Sequence, residues 1–302
     1  MFSASQAEVR MGFLKKKVIF DTDVVMKAAE GAISAGRWDR VSRYISRQCR
    51  YCISLNTMYE VLNSVAGGDG AHFIENKTRL RWLWLSSANF LPPVGDFVRK
   101  TVFSLSPRKP DFQPHRLRVW PAVVLAASKK NQLESGLISG AQVGKTKAIT
   151  YGFKLQLLRE QVHDGCKWHA ETLENLRKGV LKRSTECTWA AGVLGNLGVP
   201  VSVENTKLLR KALDAAYLYD TFLYDLAEKQ VYDFARWDSD WLDSQQLYYL
   251  ADQSTLLVTC DAKIKHRTKG SSQAARILTF EELEELACAH ARTSSSSNSA
   301  SA

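Results

Sequence analysis

Four acidic side chains stand where strand-to-helix joints fall. Asp21 closes the apolar run Val18-Ile19-Phe20, Glu60 follows Tyr51-Cys52-Ile53-Ser54, Asp243 opens an amphipathic stretch, and Asp261 closes Leu256-Leu257-Val258-Thr259-Cys260. In a parallel sheet the carboxyl ends of all strands lie along one edge, so residues distant in sequence meet there. Four acids gathered at that edge repel one another unless a cation lies between them, and oxygen-only donors suit hard ions, Mg²⁺ or Mn²⁺. A pair of such ions can activate a water against a phosphodiester and stabilise the departing 3′ oxygen, so the expected chemistry is metal-dependent phosphodiester hydrolysis.

Each acid also has a purely structural reading. An aspartate at a strand end can cap the following helix by accepting its free N–H groups, which would account for Asp21 and Asp243 separately. Asp240, three residues before Asp243, is a rival for the same position. Glu60 lies among apolar neighbours inside an expected helix, and buried acids seldom lack partners, which favours a ligand role.

The elements that must position these residues follow from periodicity. A short buried strand over Val18 to Phe20 leads into a helix through Val24-Val25-Met26 and Ala28-Ala29. Trp38, Val41, Tyr44 and Ile45 mark a second helix, and Tyr51 to Ser54 a second strand. A helix beginning at Asn56 or Thr57 stops at Gly67-Gly68, Asn89-Phe90-Leu91 reads as a third strand, and a helix follows around Phe97 to Val102. Between Ser104 and Val231 there is almost no strand signal. Helices are expected over 119–127, 148–181 with breaks, 188–194 and 206–226, with a loop at 192–200. Asp243 then opens a helix, Thr255 to Cys260 and Arg276 to Leu278 are strands, and Phe280 to Ala289 is a terminal helix. The expected organisation is a first part of the α/β domain over 14–103, a helical insertion over 104–230, the second part over 231–291, and a disordered Ser/Ala-rich tail over 292–302.

The chain has 302 residues and a formal net charge of +10. From Lys77 to Lys130 eleven Lys and Arg face only Asp96 and Asp111, with Trp82, Trp84, Phe90, Phe97, Phe103, Phe112 and Trp120 interleaved. Cations beside stacking surfaces suit a single-stranded nucleic acid, and Arg99, Lys100, Arg108, Lys109, Arg116 and Arg118 are its candidate contacts. The plainer reading is a solvated basic face over core aromatics. No run reaches the length of a membrane span, and the N-terminus has no apolar signal core before Lys15-Lys16-Lys17, so a cytoplasmic, non-membrane protein with reduced cysteines is expected. His163-x-x-Cys166-x-x-His169 is a poor metal site, because steps of three on a helix drift the outer two side chains roughly 120° apart. Cys49-x-x-Cys52 reads as structural.

The four blocks containing Asp21, Glu60, Asp243 and Asp261, in that order, resemble the PIN-domain ribonucleases over about half of the chain. Arg276 to Leu283 looks like the closing strand and helix of that fold. The resemblance implies a three-layer α/β/α fold with a central, mainly parallel sheet, here interrupted by a helical insertion. It implies that Asp21, Glu60, Asp243 and Asp261 hold two Mg²⁺ or Mn²⁺ ions and carry catalysis, with Thr22, Asp23 and Thr259 in support. It further implies an endoribonuclease acting on single-stranded RNA and leaving a 5′-phosphate. The alternatives are a non-catalytic nucleic-acid- or partner-binding module on the same fold, or a DNA nuclease in defence or repair. A protein inhibitor or antitoxin is a possible partner. Asp23 stands where the family usually has Asn or another small polar residue, which adds a charge to the site.

Overall fold

The computed structural model describes residues 15–54, 56–61, 89–108, 137–138, 149–150, 155–181 and 186–299. Strand β1 (Lys16–Phe20) leads into α1 (Thr22–Ala29) and α2 (Ala35–Gln48), then β2 (Cys49–Ile53) and a helical segment over 56–61. Strand β3 (Asn89–Phe90) and α3 (Val94–Phe103) complete the first part. The insertion contains a small antiparallel pair, β4 (Leu137–Ile138) and β5 (Ile149–Thr150), then α4 (Leu155–Arg177), α5 (Glu186–Leu197), α6 (Val203–Ala212) and α7 (Asp214–Glu228). Helix α8 (Trp237–Leu247), β6 (Thr255–Val258), α9 (Ala262–Thr268), β7 (Ile277–Leu278) and α10 (Phe280–Ser299) follow.

The main sheet has the order β3-β2-β1-β6-β7, and every pairing in it is parallel. Burial explains the central position of β1, since Val18, Ile19 and Phe20 are all covered on both faces of the sheet. Register divides the faces. Ile19 pairs with Cys52 and with Leu257, and Leu257 pairs with Ile277, so these four side chains share one face. That face lies in one continuous core with Val98, Leu173, Leu194, Tyr219, Leu247 and Tyr249. On the opposite face Phe20 meets Trp38 and Tyr51, with both ring centroids at 5.3 Å, and Trp38 stacks on Phe280 at 6.2 Å. The architecture is therefore a three-layer α/β/α fold. The helices inserted between the strand groups build one of the layers.

Several elements differ from the expectation. The helix expected over 206–226 is broken at Leu213, because the buried amide of Gln273 inserts there: its Oε1 accepts from Ala215 N–H at 2.9 Å and its Nε2 donates to Ala212 carbonyl at 2.5 Å. The loop expected at 192–200 is helix as far as Leu197, since Trp189, Ala190, Leu194 and Leu197 bury one face of α5 and carry it through two glycines. The β4–β5 pair lies where almost no strand signal was expected. Helix α8 starts at Trp237 rather than at Asp243, after a tight turn over Phe234–Arg236. Helix α10 continues to Ser299 through the segment expected to be disordered; extending a formed helix needs no new nucleus. The helix at 119–127, and the continuation of the 56–61 segment towards Gly67-Gly68, lie outside the described residues.

Gly198 ends α5 with φ +61°, and a Cβ there would lie 1.3 Å from Arg108 Nη2. A left-handed backbone strains any L-residue, and here the added carbon would also push aside a guanidinium that caps Asn196 carbonyl at 2.9 Å. Gly198→Ala is expected to cost about 1–2 kcal/mol in urea unfolding. Most of that cost should persist in an Arg108→Ala background, where the collision is gone and the backbone strain remains.

Candidate functional site

The parallel order places the ends of β1 and β6 side by side, at the point where the chain's connections diverge to either side of the sheet. Crevices at such points are where open α/β sheets bind ligands. The pairing of Phe20 with Val258 brings the next residues together, and Thr259 Oγ1 donates to Asp21 Oδ2 at 2.9 Å. Asp21 Oδ1 accepts from Thr22 N–H at 2.8 Å, so one carboxylate caps α1 and faces the site at once. The capping and ligand readings coexist at this residue. Asp261 does the same for α9, accepting from Lys263 N–H at 2.7 Å while its own N–H donates to Thr259 Oγ1 at 2.9 Å. Asp23 Oδ1 accepts from Cys260 N–H at 3.2 Å, which ties the extra acid to the β6 turn.

Glu60 is positioned by a set of short polar side chains. Ser54 Oγ caps the segment by accepting from Thr57 N–H at 3.0 Å. Thr57 Oγ1 donates to Phe20 carbonyl at 3.1 Å and accepts from Gln246 Nε2 at 2.8 Å, which fastens the segment to both β1 and α8. Glu60 then accepts from the hydroxyl of Thr22.

Asp240 and Asp243 lie on the same side of α8, and the structure separates their roles. Asp240 is 1% exposed and is bound by Arg267 Nη1 at 2.8 Å and by the Tyr232 hydroxyl at 3.0 Å. It is a neutralised structural ion pair. Asp243 sits in the middle of α8, too far from its start to be a cap, and has the Tyr219 hydroxyl 3.1 Å from Oδ2. Burial first, then repulsion from Glu60 and from Asp261 and Asp240, pushes the Asp243 carboxyl up to about 7, against the lowering effect of the Tyr219 hydrogen bond. Asp21 is raised well above the usual carboxylate range by burial, then by Asp243, Asp23 and Glu60, with the Thr259 hydroxyl working the other way. Asp23 is raised by burial, with Asp261 adding to it while the Cys260 N–H and Lys27 lower it. The repulsion puts Asp21, Glu60 and Asp243 in one neighbourhood, with Asp261 near Asp243 and Asp23.

Tyr219 and Arg267 carry no sequence signal for this site. Tyr219 comes from the insertion and touches Asp243 only because α7 packs beneath α8; Arg267 Nη1 holds the same hydroxyl at 2.8 Å.

The basic residues are distributed differently from the expectation. Arg99 and Arg108 are occupied in ending α5, donating to Leu197 carbonyl at 2.5 Å and to Asn196 carbonyl at 2.9 Å. Both guanidiniums thus cap the end of α5, since a guanidinium satisfies carbonyls left open at a helix C-terminus. Lys100 is exposed, while Lys109, Arg116 and Arg118 lie outside the described residues. Phe97 packs in the core against Tyr249 at 5.0 Å and offers no stacking surface. In the His-x-x-Cys-x-x-His segment Cys166 and His169 are both buried in α4.

The donor set fits a hard divalent ion in its chemistry: oxygen atoms only, with Asp21 buried and the others half-buried, and mutually repelling. Among the described residues no group of three or more His, Cys, Asp or Glu side chains is set as a ready cage, so the carboxylates would have to draw together around an ion. No helix of the described residues is long and apolar enough to cross a membrane. No protein family, curated protein or solved structure matches this chain.

The raised Asp243 makes a signed prediction for the metal-free protein. A carboxyl whose folded pKa lies above its unfolded value binds more protons when folded, so its contribution to stability falls as pH rises from about 4 to 7. In EDTA, Asp243→Asn should therefore gain on wild type across that window by on the order of 3 kcal/mol. The buried Asp220 and His169 titrate in the same range and cancel when the two proteins are compared. Urea unfolding at stepped pH checks it, and a difference independent of pH would show that Asp243 does not feel the other acids.

Proposed function

We propose that this chain is a PIN-type nuclease that hydrolyses phosphodiester bonds with Mg²⁺ or Mn²⁺, acting as an endoribonuclease on single-stranded RNA. The observation that carries the reading is the convergence of Asp21, Glu60, Asp243 and Asp261 at the carboxyl edge of an all-parallel sheet, with Asp21 and Asp243 pushed upward by burial and by their neighbours. Divalent ions bound there would supply activation of water and stabilisation of the departing oxygen. The chain's own residues do the positioning. Thr259 and Thr22 fix the carboxylates of Asp21 and Glu60, and the Tyr219 hydroxyl steadies Asp243. The net charge of +10 favours a polyanionic substrate, and the family resemblance favours RNA.

One observation favours a second reading, a nucleic-acid-binding module without catalysis: the acids are not set as a closed cage. Incubating the full chain with labelled single-stranded RNA and DNA in Mg²⁺, Mn²⁺ or EDTA decides between them. The nuclease reading expects cleavage that EDTA abolishes and RNA cut faster than DNA. DNA cut faster would favour the defence or repair role, and binding without cleavage in either metal would favour the module.

A further inference from the structure

Away from the carboxylate edge, α3, α4, α5, α7 and α8 line an open cavity of about 730 Å³. Its walls carry Trp168, Trp189, Trp241, Tyr224 and Tyr248, and at its mouth Trp168 is 49% exposed. A glycine is needed for one wall, since a Cβ at Gly165 would lie 2.4 Å from the Trp241 ring. Helix α8 divides the two sites: Asp243 turns to the acids, while Trp241 and Ser244, with Tyr248 just past the helix, line the cavity.

Three polar features set the character of this space. Asp220 is buried, with one oxygen accepting from Trp189 Nε1 at 2.9 Å and the other from Ser244 Oγ at 2.7 Å. Each carboxylate oxygen has a lone pair for a second donor, so the acid is held in place with capacity remaining. His169 is 3% exposed, and its Nε2 has no hydrogen-bond partner among the described residues. Burial lowers this imidazole to about 4, so it is neutral at pH 7 and can offer Nε2 as an acceptor. Asp164 stands at the rim, and among the described residues the lining contains neither Lys nor Arg, in a chain whose net charge is +10.

We propose that this cavity binds a small organic cation, an amine with an apolar body. The body would lie between the aromatic walls, the ammonium would be attracted by the ring faces and by Asp220, and an N–H would supply the hydrogen bond that His169 Nε2 lacks. An anion would meet Asp220 and Asp164, with no Lys or Arg among the described lining residues to offset them. A neutral apolar molecule would gain the walls and leave the carboxylate unused.

Three probes with closely similar bodies separate these cases: 2-phenylethylamine, 2-phenylethanol and 3-phenylpropionate. None of them absorbs where tryptophan is selectively excited, so fluorescence of the full chain reports occupancy, with calorimetry as a second readout. The amine is expected to bind most tightly, about ten-fold or more better than the propionate, with the alcohol between. Asp220→Asn should reduce that preference to about three-fold or less. Trp168→Ala, at the exposed mouth and therefore cheap for folding, should weaken the amine about five-fold with an unchanged melting temperature. Asp21→Asn should leave binding as it is. The proposal is overturned if no probe binds at millimolar concentration, if the alcohol or propionate binds as well as the amine, or if the amine binds equally well to both cavity variants.

Discussion

Replacing Asp21 or Asp261 by Asn is expected to lower cleavage of single-stranded RNA by about a thousand-fold or more, equivalent to roughly 4 kcal/mol of transition-state stabilisation. Binding of the same RNA, measured in metal-controlled buffer, should change by less than about three-fold, because affinity for a polyanion rests mainly on phosphate neutralisation. Loss of fold does not explain such a result. Asn can still accept from Thr259 Oγ1 or from Thr22 N–H, and at Asp21 it removes a charge that three neighbouring acids oppose. The Asp21 variant should therefore melt at or above wild type in EDTA. Added Mn²⁺ should raise the wild-type melting temperature through binding to the folded state and raise that of the variant much less. Cleavage at the wild-type rate by either variant would remove these residues from the site.

The largest effect on stability is expected at Arg267. Its guanidinium is 2.8 Å from Asp240 and only 9% exposed in its side chain, with Asp240 at 2%. It also lies over the Tyr219 and Phe222 rings at 5.0 and 5.2 Å. Arg267→Met keeps the stem and removes the charge, leaving Asp240 buried with only the Tyr219 and Tyr232 hydroxyls. The expected cost is about 3–5 kcal/mol in urea unfolding, mostly from the stranded carboxylate. Adding Asp240→Asn to that variant should recover a large part of the loss, and the double-mutant cycle isolates the pair. A single-variant cost below about 1 kcal/mol would show that the pair is solvated. Arg267 also holds the Tyr219 hydroxyl that contacts Asp243, so the variant that survives folding should cleave more slowly.

The strands that build the site are legible in their residues alone. Val18-Ile19-Phe20 and Leu256-Leu257-Val258 are apolar runs too short for helices and too continuous for half-exposed strands, which restricts them to the interior of a parallel sheet. An acid after each run then lies at the same edge, which puts Asp21 and Asp261 together. Helix α2 was legible for a similar reason, since Trp38, Val41 and Ile45 repeat at helical spacing.

What the sequence left open depends on contacts between distant residues. Asp240 and Asp243 are equivalent by type and spacing, and only the arrival of Arg267 and Tyr232 at Asp240 leaves Asp243 to the acid cluster. The break at Leu213 has no local cause, because the amide that satisfies both helix ends belongs to Gln273. Arg99 and Arg108 look like free cations until α5 presents its open carbonyls to them. The insertion, legible as helical, proved to be a layer of the same core that delivers Tyr219 to the site. Periodicity reports which face of an element is buried; it does not report which polar partner waits there, and that pairing is decided only when the layers close.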